Sequence, residues 1–142
     1  MISKIINSEL IGKRIIKDYI CAFNSRDHNL MASLFNFPHI RFANGKAWVI
    51  SKKQYLSKQE EVTLLLKKEN WNQTIVNNIE TIQSGNNKAH FKIHFSRLNN
   101  ENKIIHDFET LWIITNLKGH WGIQFRSTFL DSDAATFGLE IK

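Results

Sequence analysis

Residues 89–129 read AHFKIHFSRLNNENKIIHDFETLWIITNLKGHWGIQFRSTF, three strand-length runs divided by two turn signals, NNEN and NLKG. Within each run apolar and polar residues alternate, the period of a half-buried strand. A turn centred on Lys118-Gly119 pairs Trp112 with Phe125, Thr110 with Ser127 and Ile114 with Ile123. A turn centred on Asn100-Glu101 sets Ile93 beside Phe108, Phe95 beside His106 and Phe91 beside Thr110, all on that same face. The intervening residues build the other face: His94 opposite Asp107, Lys92 opposite Glu109, and Leu111 opposite Arg126. One face is therefore aromatic and aliphatic, and the other is laced by opposite charges. A slip of one residue would exchange the two.

Upstream segments look like material to cover the apolar face. Ser8 can cap a helix over about residues 9–23, with Ile11, Ile15 and Tyr19 in one row and Ile16, Ile20 and Phe23 beside it. Asp27 caps a second, short helix carrying Leu30, Met31, Leu34 and Phe35. In FNFPHIRFANGKAWVI, Asn44-Gly45 is a hairpin signal that pairs Arg41 with Trp48 and Ile40 with Val49. His39, Arg41 and Trp48 then share a face, and Pro38 suits a strand start or edge. Ser51 and Gln54 make a capping box for a third helix, whose buried row is Tyr55, Leu56, Gln59, Val62 and Leu66. A fourth long strand runs over residues 71–84. The expected order is helix, helix, hairpin, helix, then four long antiparallel strands.

Composition narrows the setting. At 142 residues, 42% hydrophobic and 23% charged, the chain suits one soluble globular domain with a real core. No run approaches eighteen apolar residues, so no membrane span is expected. The opening MISKIINSELIGKRII is broken by Lys4, Asn7, Glu9 and Lys13 and lacks the apolar centre of a signal peptide. A lone cysteine, Cys21, excludes an internal disulfide and indicates a reducing, cytoplasmic setting; on its helix it reads as an inert buried thiol. The net charge of +6 raises the question of nucleic acid, but the lysines are scattered and no binding motif stands out, so nucleic acid is not expected as a partner. His90 and His94 lie about 13 Å apart along a strand, too far to share one ion. With no Cys cluster and no helical H-x-x-x-H, neither a metal nor an organic cofactor is expected.

The element order, the FPHIRF stretch after a short second helix, and the G-x-W-x-I of the closing hairpin resemble the nuclear transport factor 2-like superfamily, nearest its ketosteroid-isomerase and polyketide-cyclase branch. That resemblance covers nearly the whole chain and implies one domain over residues 1–142, an α+β cone in which a curved antiparallel sheet wraps three helices around a cavity. It also implies dimers formed through the outer side of the sheet, here the face of Lys92, His94, Asp107, Glu109 and Arg126. Catalytic members often carry an acid or base on the strand after the second helix, where this chain has His39 and Arg41, and a cavity-facing tyrosine on the first helix, where it has Tyr19. The inner face of the meander contributes Thr110 and Ser127 but no carboxylate, so a carboxylate base has no counterpart.

Each of these residues has two readings. His39 can be a general base near neutral pH, or a strand histidine bonded locally. Arg41 can hold a substrate carboxylate or enolate oxygen while stacking on Trp48, or shield that tryptophan at the surface. Tyr19 can donate into a cavity or fill the core with its hydroxyl at the rim. Phe108, Trp112 and Phe125 can line a ligand pocket or close a filled core. The combined expectation is a cytoplasmic homodimer whose apolar cavity binds a small hydrophobic or aromatic molecule. Any turnover would be isomerisation, dehydration or cyclisation by His39 and Arg41. The alternative is a non-catalytic, homodimeric interaction module.

Overall fold

The structure, a computed structural model, describes residues 7–130 and 138–142. The opening six residues, and with them the start of the 1–142 domain and part of the signal-peptide reading, lie outside the described residues.

The observed elements are α1 (Ser8–Ser25), α2 (His28–Ser33), β1 (Phe35–Ala43), β2 (Lys46–Ile50), α3 (Lys52–Lys68), β3 (Trp71–Ser84), β4 (Lys88–Asn99), β5 (Ile104–Leu117), β6 (His120–Thr128) and β7 (Leu139–Ile141). The seven strands form one sheet in the order β3-β4-β5-β6-β1-β2-β7, with the helices packed on its inner face. The expected α+β architecture, a sheet wrapped around three helices, is the one observed. It is mixed, because β1 runs parallel to β6 while every other pair is antiparallel.

The helix ends follow local chemistry, with one shift. Asn7, rather than Ser8, caps α1 by accepting from the Leu10 N–H, and Ser8 is buried. Asp27 caps α2, and Ser51 and Gln54 close a full capping box on α3. Cys21 is exposed, on the solvent side of α1, and not a buried thiol. Asn24 fastens the end of α1 to the sheet, since its amide donates to the Thr74 carbonyl at 2.9 Å and accepts from the Thr74 N–H at 2.8 Å. Gly12 lets α1 approach the sheet, because a Cβ there would come within 2.3 Å of the Phe91 ring.

Register is where expectation and structure part. The β1–β2 hairpin pairs Arg41 with Trp48 and Ile40 with Val49, as its Asn-Gly turn requires, with Asn44 and Gly45 at φ 55° and 72°. The β4–β5 turn lies one residue further on, so Phe95 pairs with Phe108 and Ile93 with Thr110. The resulting shift of two in register leaves the inner face unchanged. The outer charges still meet diagonally: Lys92 reaches Glu109 at 3.1 Å, and His94 contacts Asp107.

The β5–β6 hairpin turns at Lys118-Gly119, pairing Ile114 with Ile123, but a bulge follows at once and the next pairs are Ile113–Phe125 and Trp112–Arg126. Gln124 is the extra residue, and its side chain accepts from Thr115 Oγ1 at 2.8 Å. Past this point each β6 residue changes face. Phe125 turns outward, its ring against the half-exposed Phe42, and Arg126 turns inward to near-complete burial. Arg126 therefore does not belong to the outer charged ladder in which its sequence position had set it.

Candidate functional site

The bulge assembles a row across the inner face of the sheet. Trp48 on β2, Arg41 on β1, Arg126 on β6, Trp112 on β5 and Phe91 on β4 are successive cross-strand partners. Two arginines are thus immediate neighbours, with backbones about 5 Å apart, an arrangement that costs stability unless something offsets the charge.

Beneath that row, between the sheet and helices α1 and α3, lies a partly open cavity with about 70 Å³ of space for the centres of water-sized spheres. One such sphere needs roughly 10–15 Å³, so there is room for several waters or a small organic molecule. Its apolar wall includes Ile20, Phe23, Val62, Phe95, Phe108 and Trp112. Its polar groups are Tyr19, Arg41, Tyr55, Arg97, Thr110 and Arg126, with Gln59, Thr74 and Thr128 at the edges, and among the described residues no Asp or Glu lines it.

The hydroxyls of Tyr19 and Tyr55 meet at 3.0 Å, joining α1 to α3 across the cavity floor. Burial, with Tyr19 adding to it, pushes the Tyr55 phenol well above its ordinary value, so it stays protonated. Arg126 donates from Nε to Nε2 of His39 at 3.0 Å, and its guanidinium lies 4.9 Å from the Phe35 ring centre. His39 faces the Ile123 carbonyl with Nδ1 at 3.3 Å. Only the tautomer with the proton on Nδ1 satisfies both bonds. Burial first, then the Arg126 and Arg41 charges, hold His39 well below an ordinary imidazole. It is fully buried and absent from the cavity lining, a neutral acceptor whose lone pair is occupied by Arg126. The proton-moving role expected of it thus has no geometric opening, and its visible work is to position Arg126.

Arg41 keeps some accessible surface and lines the cavity, but its Nε is buried and finds no acceptor among the described residues. Burial and the adjacent Arg126 charge pull its guanidinium well below the usual arginine range. Arg97 is 7% exposed, and its Nε and Nη1 also lack hydrogen-bond partners among the described residues. Glu69 stands 3.7 Å from Arg97 Nη1, beyond a hydrogen bond, and burial outweighs that carboxylate to bring Arg97 down to about 10.

The residues expected at the site divide cleanly in space. Tyr19, Arg41, Phe108, Thr110 and Trp112 line the cavity, whereas Trp48, Phe125 and Ser127 do not. Trp48 packs against the core at one end of the arginine row, Phe125 sits outside, and Ser127 contributes only its carbonyl, to the Thr110 hydroxyl at 3.0 Å. Lys92, His94, Asp107 and Glu109 occupy the outer face, near an exposed Phe129. Sequence reading passed over Arg97 and Tyr55 as site residues. Arg97 had a signal, because it continues the inward series Ala89, Phe91, Ile93 and Phe95 along β4. Tyr55 stood in the buried row of α3, with nothing local to indicate that it would meet Tyr19. Among the described residues no group of three or more His, Cys, Asp or Glu could hold a metal ion, and no helix is long and apolar enough to cross a membrane.

A family model described as NTF2-like protein (DUF6841) matches residues 8–125. No curated protein matches the chain. Among solved structures, a protein of unknown function with a cystatin-like fold from Nostoc punctiforme is 12% identical at a TM-score of 0.69, over 88% of this chain and 92% of that one. A function-unknown protein from Mycobacterium tuberculosis is 13% identical at a TM-score of 0.71, over 91% and 81%. A ketosteroid isomerase-like protein from Erwinia carotovora atroseptica is 16% identical at a TM-score of 0.60, over 82% and 90%. Identities this low establish a shared fold and carry no activity across.

Proposed function

Since the chain belongs to the NTF2-like family DUF6841, we propose that it is a small-molecule-binding domain whose ligand, with a hydrophobic or aromatic body, occupies the cavity between the sheet and helices α1 and α3. The observation that carries this reading is convergence: Tyr19, Tyr55, Arg41, Arg97 and Arg126 bring polar groups into one cavity that is otherwise aromatic and aliphatic. Filled cores do not leave guanidinium nitrogens buried and unpaired. Any acid–base turnover of the isomerase, dehydratase or cyclase kind falls, in this proposal, to the Tyr19–Tyr55 pair, with Arg41 at a developing oxyanion. The domain is taken to span residues 1–142, in a cytoplasmic setting, for which the lone Cys21 is the support.

The test is saturation-transfer NMR with a mixture of charged and uncharged single-ring aromatic compounds. Val62→Trp fills the cavity from α3. Signals given by the native protein and lost in that variant support the reading, and a native protein that gives none refutes it.

The outer face favours a second element, homodimerisation, which would also serve the alternative of a non-catalytic interaction module. Lys92 and Glu109 form a cross-strand pair there, and Phe129 is 82% exposed beside it. Lys92→Glu should move the mass measured by light scattering toward the monomer. A native protein that is already monomeric, or a variant of unchanged mass, removes this face from the proposal.

A further inference from the structure

We propose that the ligand is a small organic anion, a carboxylate on an apolar or aromatic body, whose charged group is held among Arg41, Arg97 and Arg126. This rests on the reading of the cavity as a small-molecule site and names the chemistry of its occupant.

Charge in the cavity is unbalanced among the described residues. Three arginines line one cavity, and among the described residues no Asp or Glu lines it with them. Arg41 and Arg126 are direct partners on parallel neighbouring strands, so each raises the cost of the other. Among the described residues the nearest relief is Glu69, 3.7 Å from Arg97, and that carboxylate is shared with His106 at 3.4 Å. A buried cation without a counter-charge is among the costliest things a fold can hold.

The unpaired atoms have direction. Arg126 spends Nε on His39, which leaves both terminal nitrogens without a protein acceptor among the described residues. His39 is locked as the acceptor by its own bond to the Ile123 carbonyl, so Arg126 cannot swing away without leaving a buried imidazole nitrogen unsatisfied. Arg41 Nε and Arg97 Nε and Nη1 add buried donors with no hydrogen-bond acceptor among the described residues. A carboxylate offers acceptor sites for several such donors at once, in the planar geometry that guanidinium groups match. An inorganic ion would satisfy the charge alone. The aromatic wall of Phe23, Phe95, Phe108 and Trp112 gives an apolar body its place beside it.

The experiment is a calorimetric titration of the full chain with benzoate, with benzamide as its neutral counterpart and inorganic sulfate as an anion without an apolar body. The expected result is tighter binding of benzoate than of either control by about tenfold or more. In Arg41→Met that preference over benzamide should vanish, and thermal unfolding without ligand should move to higher temperature as an unpaired buried charge is removed. Arg97→Met serves as the second variant should the first fail to fold. Equal affinities for benzamide and benzoate overturn the anion assignment and leave the small-molecule reading standing. Sulfate binding as tightly as benzoate overturns the organic body. No binding of either aromatic compound overturns this inference together with the reading beneath it. A benzoate preference that survives in both variants also overturns it.

Discussion

His39 makes the state of this site measurable through stability. In the folded chain it is neutral, with Nδ1 on the Ile123 carbonyl and Nε2 accepting from Arg126, and it lies 0% exposed against the Phe35 ring. Protonation would remove the acceptor, set a cation against Arg126 and Arg41, and bury a new charge. Its folded pKa is therefore held well below the ordinary 6.5, by burial first and then by those two arginines. Because the folded value is depressed, the unfolded chain binds the proton more tightly. The stabilisation is present above the ordinary value and is lost as pH falls below it, down to the folded pKa. Each pH unit in that window is worth about 1.4 kcal/mol, so between pH 8 and pH 5 native stability should drop through this residue by an amount whose ceiling, set by the unfolded value alone, is about 2 kcal/mol. Urea unfolding followed by circular dichroism at several pH values measures it, comparing the native chain with His39→Gln. Glutamine can accept the Arg126 hydrogen bond without taking up a proton, while carboxylates such as Asp107 titrate alike in both proteins. The native chain should lose its advantage over the variant as pH falls. A stability difference that stays constant from pH 8 to pH 5 would show that His39 is not held neutral, and the tautomer assignment would fall with it.

Three further outcomes follow from the packing. Gly12→Ala drives a methyl group to 2.3 Å from the Phe91 ring, which has no exposed surface to retreat into, so unfolding should become easier by about 1–3 kcal/mol in urea. Asn24→Ala removes both bonds to Thr74 and should cost about 1–3 kcal/mol, with faster amide exchange at Thr74 as the local sign; an unchanged exchange rate would mean that water replaces the amide fully. Deleting Gln124 takes the extra residue out of the β5–β6 bulge, so that Ile123, Phe125 and Arg126 alternate regularly, with Phe125 still opposite Ile113 on the outer face and Arg126 still opposite Trp112 on the inner one. That chain should remain folded and keep the benzoate preference in calorimetric titration, because the deletion leaves Arg126 inside; a lost preference would refute the inward placement of Arg126 by this register.

Element order, caps and turns were legible because they are local. The Asn44-Gly45 and Lys118-Gly119 turns, the Ser51–Gln54 box and the apolar rows of α1 and α3 are each written within a few residues, and each appears where the chemistry demands it. The inner face of β4 was equally readable from its alternation, even into Arg97, where the side chain's charge argued against a burial that the period required. An error of two in the β4–β5 register did no harm, since a shift of two leaves every side chain on its face.

What the sequence by itself determined is therefore the set of elements and the apolar surface each must hide, since propensity, capping and periodicity act over one or two turns of chain. The tertiary structure alone decided which charges entered the interior. A single extra residue at Gln124 carries no periodic mark, yet it inverts the rest of β6 and exchanges Phe125 for Arg126 on the inner face. The parallel pairing of β1 with β6 then sets Arg41 beside Arg126, and the fold brings Tyr55 to Tyr19 from thirty-six residues away. The reason is physical: alternation along a strand says which residues share a face, while the identity of that face, and the neighbours across it, are fixed by strands far away in the chain.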